Sequence, residues 1–303
     1  MPILAAAAVS TLMIVLWPGA AHAWGPVTHV ALGVRAIATV ISPDHPVQAT
    51  LANFPEVFLY GSLAPDIVQG RRLQSRLRRH SHNWSTARSL ISAASDPEQQ
   101  AFALGYLAHL GADVIAHNFY LPAHFVGNFE SRIASHIYAE ARFDTLQDGD
   151  FHRILLSLLD SDFSRLDAML DRAVDSPLVP FNAHRRIFDG GLRRIQQWNA
   201  IVKTVGPTAP EEVSGAQVFT ESSCCAIRGV IDDPEHAPAC RFDPMGTDAV
   251  RSALASRRNL QRLTRVSISA RETARELAAT MVRDVRAHLQ TGPFGAGDPK
   301  AMG

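Results

Sequence analysis

The sequence predicts an all-α protein, a multi-helix bundle, and three observations support this prediction. Apolar residues recur at three-to-four-residue spacing along most of the chain, as expected for helices that bury one face. Alternating patterns typical of strands are scarce. Hydrophobic residues make up 47% of the 303 positions, which is enough for a substantial buried core.

Residues 1–23 are predicted to be a signal peptide. The apolar stretch from Ile3 to Trp17 is short for a transmembrane helix and runs into the small-residue pattern Ala21-His22-Ala23. Cleavage after Ala23 would make Trp24 the first residue of a secreted or periplasmic protein. Because no Lys or Arg follows Met1 ahead of the apolar stretch, an uncleaved anchor is the alternative.

Helical patterns run through the mature domain, 24–290. The predicted helices are Val27 to Ile41, Asp96 to Tyr120, Glu130 to Leu146, Phe151 to Val174, His184 to Val202 and Thr247 to Leu289. In the second of these, the central helix, Asp96 suits the N-cap and Pro97 the first helical position. Its middle carries small residues that would let a neighbouring helix or a metal cluster approach closely: Gly105, Ala108, Gly111 and Ala112.

Two segments depart from the helical pattern. From 206 to 246 the chain is rich in Pro, Gly, Ser and acidic residues, and we expect a loop insertion over one face, which could form a lid. The tail, 291–303, is predicted to be disordered. Basic and acidic residues balance at 29 each, so we expect no stable nucleic-acid partner.

The three cysteines all fall inside the expected insertion. Export favours a disulfide from Cys240 to Cys224 or Cys225. Such a bridge would contribute about 3 kcal/mol. A zinc site made of these cysteines is less favoured, because adjacent cysteines do not easily bind one ion and only His236 is near.

Two successive predicted helices carry side chains of the metal-ligand type at four-residue spacing. His109, Asp113 and His117 follow one face of the central helix, and His136 and Glu140 repeat the spacing on the next. Apolar residues surround the first three, and burying an unpaired carboxylate there would be costly. We interpret both sets as metal ligands, with a structural polar network as the alternative.

The predicted mature N-terminus, Trp24-Gly25-Pro26-Val27-Thr28-His29, resembles the zinc-dependent phospholipase C and fungal single-strand nuclease superfamily. In that superfamily the amino group and carbonyl of an N-terminal Trp bind zinc together with a nearby His. His29, five residues after Trp24, matches the nuclease spacing. The stretch from Gly61 to Asp66 resembles the segment that supplies the next Asp ligand. The resemblance extends to Glu140.

This resemblance implies a trinuclear zinc cluster at the centre of the bundle. Its expected ligands are Trp24, His29, Asp66, His82, His109, Asp113, His117, His136 and Glu140. His80 is an alternative to His82. His124 is an alternative to His117, because the family usually places this His six residues after the bridging Asp rather than four. The expected catalytic residues are Asp113, which bridges two ions, and Asp66, which orients the attacking water.

The implied function is that of an exported zinc-dependent phosphodiester hydrolase, phospholipase C-like, which cleaves phospholipid head groups by a zinc-bound hydroxide. Glu140 is the phospholipase-like version of the last ligand. The alternatives are a nuclease on the same cluster and a non-catalytic zinc protein. A phospholipid or other phosphodiester is the expected substrate, and contact with a membrane surface fits it. The arginine run from 71 to 79 is either a solvated face or a guide for phosphate.

Overall fold

The computed structural model describes residues 24–68, 80–131, 136–147, 150–174, 180–204 and 210–295. The regular structure of these residues is helical, which confirms the predicted all-α class. The α-helices are α1 Pro26–Arg35, α2 Gln48–Asn53, α3 Pro55–Gly61, α4 Trp84–Ala93, α5 Pro97–Ile115, α6 Leu121–Gly127, α7 His136–Asp144, α8 Phe151–Asp160, α9 Ser164–Ala173, α10 Phe181–Thr204, α11 Pro210–Asp232, α12 Thr247–Leu263 and α13 Ile268–Thr291. None of these helices is both long and apolar enough to cross a membrane.

Helix α5 is the centre of the fold. Every residue from Ala101 to Ile115 is buried, as expected of a helix that neighbours surround on all sides. Asp96 begins it as expected, because its carboxylate accepts a hydrogen bond from the Gln99 N–H at 2.9 Å. A π-helical turn, Ala116–Tyr120, then continues α5 into α6. Helices α3, α4 and α11 pack against α5.

The small residues of α5 allow the close packing that the sequence predicts. A Cβ atom added to Gly105 would lie 2.1 Å from the Phe58 carbonyl oxygen, and one added to Gly61 would lie 2.2 Å from the Phe102 oxygen. Helices α3 and α5 therefore touch backbone to backbone. This contact brings the 3-10 turn Ala64–Asp66, which follows α3, beside the middle of α5.

The prediction of a loop insertion over 206–246 is wrong for most of its length, because residues 210–232 form helix α11. This helix packs against α5, with Val230 beside Gly111, and buries Phe219 against Tyr120 of the π-helical turn. Serine, which suggested a loop, is accommodated inside the helix, since the Ser223 hydroxyl donates to the Phe219 carbonyl at 2.8 Å. Tertiary burial thus outweighs the turn-like composition.

Other predicted boundaries also need correction. The segment 151–174 is two helices, α8 and α9, and the segment 247–289 is divided between α12 and α13. The start of the tail is packed rather than disordered, because Phe294 is 2% exposed and lies against Phe119 and Phe242. The predicted signal peptide (1–23), the arginine run (71–79) and residues 296–303 lie outside the described residues.

The predicted disulfide is also wrong, because neither Cys224 nor Cys225 is bonded to Cys240 in the structure. The Cys240 thiol instead donates to the Pro234 carbonyl, with 3.4 Å between sulfur and oxygen. Cys224 lies on α11, where burial raises the pKa of its thiol to about 12.

Candidate metal centre

Four separate segments bring five of the predicted ligands into one buried cluster. Helix α1 supplies His29, the turn after α3 supplies Asp66, the residues before α4 supply His82, and α5 supplies His109 and Asp113. None of the five is more than 3% exposed. These residues are far apart in the sequence, so the packing of α1, α3 and α4 around α5 creates the site.

Asp113 lies at the centre of this cluster. Its Oδ2 atom is 3.2 Å from the Nε2 of His109 and 3.4 Å from that of His82, while its Oδ1 is 3.4 Å from the Nε2 of His29. The Nε2 of His82 is also 3.3 Å from Asp66 Oδ1. Two overlapping groups, His29 with Asp66 and His109, and His82 with His109 and Asp113, each have potential ligand atoms within 4.8 Å of one another.

The outward-facing ring nitrogens hold these imidazoles in position. The Nδ1 of His109 lies 2.8 Å from the Ser62 carbonyl oxygen and therefore carries the proton that it donates. The Nδ1 of His82 lies 3.0 Å from the Ser81 hydroxyl. Both arrangements leave Nε2 directed at Asp113, and an outer hydrogen bond of this kind typically orients a histidine ligand.

Three buried atoms test whether a metal fits this cluster. The His29 Nε2 and both carboxylate oxygens of Asp113 make no hydrogen bond with any residue that the structure describes. Buried polar atoms are normally satisfied, and leaving one unsatisfied costs about 1–3 kcal/mol. Imidazole nitrogens and carboxylate oxygens that converge in this way are a donor set that suits zinc.

Electrostatics agrees with this interpretation for two residues of the cluster, His29 and Asp113. Burial, together with the nearby His109, lowers the pKa of His29 to about 4. Burial also opposes charge on His109, but Asp113 and Asp66 outweigh it and raise its pKa. The pKa of Asp113 is held well below its usual value, because His109 outweighs the cost of burial. The neutral His29 and ionised Asp113 are the protonation states that bind a cation.

The remaining predicted histidine and glutamate ligands form a second group beside the first. The His117 ring lies 5.5 Å from that of His136, and the His136 Nε2 is 3.1 Å from a Glu140 oxygen. The Nδ1 of His117 is 4.0 Å from Asp113 Oδ2, which links the two groups. The side chains of His136 and Glu140 are 21% and 8% exposed, so this group lies at the outer end of the centre.

The structure also places the residues between which the sequence left a choice. His82 lies in the cluster, whereas His80 is half-buried beside Asn83, 3.4 Å from its amide nitrogen. His117 is near Asp113, whereas His124 lies on α6 with its ring 6.0 Å from that of Tyr120. The geometry favours His82 and His117.

Trp24 lies beside the cluster. It is fully buried, and its indole N–H donates to the carbonyl of Ala112, the residue before Asp113, at 3.0 Å. Its ring packs on Phe143 and Tyr120 with centroids 4.0 and 4.8 Å apart. The packing places the predicted mature N-terminus next to the metal centre, while its role as a ligand stays a prediction.

One positioning residue was missed by the sequence analysis. Asp144, buried at the end of α7, accepts hydrogen bonds from the Thr28 N–H at 2.9 Å, the Thr28 hydroxyl at 2.6 Å and the Val27 N–H at 3.3 Å. It thereby provides acceptors for backbone N–H groups in the first turn of α1, just before His29. Its spacing of four residues after Glu140 was the available signal.

A second missed feature is the turn before α12. The Nδ1 of His117 donates to the Pro244 carbonyl at 2.6 Å. Gly246 has a φ of 54°, and a Cβ there would lie 2.6 Å from the His117 backbone. Glycine is favoured in this left-handed conformation, and the close approach leaves no room for a side chain. This turn therefore sets the position of His117.

Comparison with known families agrees with the geometry. Residues 28–176, about half of the chain, match the family described as zinc dependent phospholipase C. Over these residues the chain belongs to the zinc-dependent phospholipase C family. Comparisons with curated proteins and with solved structures gave no match.

Proposed function

We propose that this protein is an exported zinc-dependent phosphodiester hydrolase that removes head groups from phospholipids, as a phospholipase C does. The observation that carries the proposal is the Asp113 carboxylate, whose two buried oxygens face His29 on one side and His82 and His109 on the other. The family match supports the same chemistry.

We assign three zinc ions to the nine predicted ligands. Asp66, His82, His109 and Asp113 would hold one ion. Trp24, His29 and Asp113 would hold a second ion, so Asp113 would serve both ions. His117, His136 and Glu140 would hold the third. Bound zinc would supply Lewis acidity toward the phosphate and would lower the pKa of water to near neutrality.

The protein residues have separate tasks in this scheme. Asp113 would keep two cations close by balancing their charge, and Asp66 would orient the attacking water or accept its proton. Three zinc ions would bring six positive charges, and three carboxylates would balance half of them: Asp66, Asp113 and Glu140. The remaining positive charge would attract an anionic phosphodiester. The partly exposed His136 marks the side from which substrate would approach.

A nuclease on the same centre is the second candidate, favoured by the five-residue spacing of Trp24 and His29. Nucleases of unpaired strands use aromatic side chains on which bases stack. Trp24, beside the cluster, is instead packed against Tyr120 and Phe143, which also contact each other. This packing supports the phospholipid substrate.

Metal analysis and two substrates test the proposal. We expect mature protein beginning at Trp24 to bind zinc and to hydrolyse phosphatidylcholine faster than single-stranded RNA. Asp113→Asn should abolish turnover, while Asp160→Asn, at a 69%-exposed ion pair, should keep it. Cleavage of RNA alone would establish the nuclease, and zinc binding without turnover of either substrate would indicate a non-catalytic protein. Absence of zinc binding would overturn all three assignments.

A further inference from the structure

The turn between α12 and α13 exposes two aliphatic side chains. Val266 is 75% and Ile268 is 81% exposed. They flank Ser267, whose hydroxyl caps α13 by accepting a hydrogen bond from the Ala270 N–H at 3.0 Å. The residue before such a cap often packs on the fourth helical residue, but Arg271 occupies that position here. Helix capping therefore does not account for an apolar residue at 266.

The chain around this turn is strongly basic. Between residues 249 and 271 it contains no Asp or Glu and six arginines. Four of them, spaced seven, four and three residues apart, follow one face of α12 and its continuation into the turn: Arg251, Arg258, Arg262 and Arg265. A protein with no net charge thus carries a concentrated positive stripe.

Part of this stripe is uncompensated. Arg251 pairs with Asp248 at 2.7 Å, and Arg271 lies 3.9 Å from Glu130. By contrast, Arg258, Arg262 and Arg265 form no ion pair with any residue that the structure describes, and all three are exposed. Their charge is therefore available to an anionic partner.

We propose that a basic turn, made of Arg258, Arg262, Arg265, Val266 and Ile268, docks the protein on anionic phospholipid bilayers. The arginines would contact lipid phosphates, and the two aliphatic side chains would insert among the head groups. A stable protein interface buries roughly 800 Å² on each partner. Two apolar side chains cannot supply that area, so a bilayer fits the turn better than a second protein.

The stripe also determines how the protein lies on the surface. Because the arginines follow the length of α12, this helix would lie along the bilayer rather than point into it. Its first turn, beside His117, would then also be near the surface. Docking would thus bring the protein to the membrane that contains its proposed phospholipid substrate. The biological purpose of docking rests on that proposed function.

Vesicle binding by the full mature protein tests the basic turn without any turnover. We expect tighter binding to phosphatidylcholine vesicles that contain phosphatidylserine than to pure phosphatidylcholine, weakening as salt rises. Each arginine near an anionic surface strengthens binding about fivefold, so Arg262→Gln/Arg265→Gln should weaken it about 25-fold. Val266→Ser/Ile268→Ser should weaken it as well.

The matched controls lie on α10. Ile187 is 52% exposed and Arg193 is 50% exposed, and Ile187→Ser and Arg193→Gln should bind vesicles as the unchanged protein does. Equal binding by the basic-turn variants, or no preference for anionic vesicles, would overturn the docking proposal. If those variants instead convert a dimer to a monomer without changing vesicle binding, the turn joins two copies of the chain, which also overturns it.

The two proposals fail in different ways. Hydrolysis of phosphatidylcholine without preferential binding to anionic vesicles would reject docking and leave the hydrolase intact. Preferential binding through the basic turn, with no hydrolysis of lipid, would reject the proposed substrate and leave docking intact.

Discussion

The carboxylate of Asp144 accepts two hydrogen bonds from Thr28, one from the backbone N–H at 2.9 Å and one from the hydroxyl at 2.6 Å. This contact joins the end of α7, which carries Glu140, to the start of α1, which carries His29. Two helices that contribute predicted ligands are thereby fixed to each other outside the cluster itself.

We predict that Asp144→Asn lowers zinc affinity. The amide keeps one acceptor for Thr28, but its NH2 group would face the Val27 N–H or the Thr28 donors. Loss of such outer partners typically costs 10–100-fold in metal affinity, and we expect about that change in a competition with a chelator. Asp160→Asn is the control. Unchanged affinity in Asp144→Asn would show that α1 is positioned by other contacts.

The same variant should alter the pH dependence of stability. Burial raises the pKa of Asp144 from 3.8 to about 6, so the folded protein holds this proton more tightly than the unfolded chain. The resulting stabilisation is full below pH 3.8 and is lost as the pH rises through about 6. As the pH rises, the wild-type protein should therefore lose on the order of 3 kcal/mol in free energy of unfolding that Asp144→Asn does not lose. Urea titrations of metal-free protein measure this, and parallel pH profiles would contradict it.

Gly61→Ala should destabilise the protein. Its Cβ would meet the Phe102 carbonyl oxygen at 2.2 Å, and backbone on both sides cannot move aside cheaply, so we expect a loss of about 1–3 kcal/mol or more. Gly190→Ala, in α10, meets nothing within 4 Å and should stabilise by up to about 1 kcal/mol. Thermal unfolding compares the two, and a small effect at Gly61 would mean that α3 shifts freely on α5.

Gly246→Ala should lower both the stability of the protein and its zinc content. Alanine is disfavoured at a φ of 54°, by about 1–2 kcal/mol, and its Cβ would press on the His117 backbone. We expect the third zinc ion to bind more weakly, as measured by metal content after dialysis. Gly229→Ala, whose nearest neighbour lies 3.8 Å away, is the control. Full zinc content in Gly246→Ala would show that His117 does not depend on this turn.

Any residue left in front of Trp24 should lower zinc content. The proposed ligand amine would exist only after the predicted cleavage following Ala23, and the Trp24 side chain is already fully buried, so an extended chain could not offer the same group. Metal analysis of the mature protein and of a form that retains one extra residue measures the difference. A C-terminal extension serves as control. Equal zinc content in both N-terminal forms would exclude Trp24 as a ligand.

The sequence by itself determined the helical class and the spacing of those predicted ligands that are local in the chain. His109, Asp113 and His117 fall on one stripe of a helix because its period places every fourth residue on the same side, and this relation holds before any tertiary contact forms. The same reasoning located the start of α5 at Asp96 and Pro97.

Only the tertiary structure decided the features that depend on residues far apart. Four-residue spacing places Asp144 on the helix face of Glu140, but the sequence does not show what Asp144 binds, since its partner Thr28 lies 116 residues away. Composition made residues 210–232 look like a loop, whereas burial against α5 makes them a helix. The preference for His82 over His80, and for His117 over His124, likewise rests on which ring the packed helices direct toward Asp113. Spacing along a helix is a property of the chain, but burial and long-range hydrogen bonds exist only once the helices have packed.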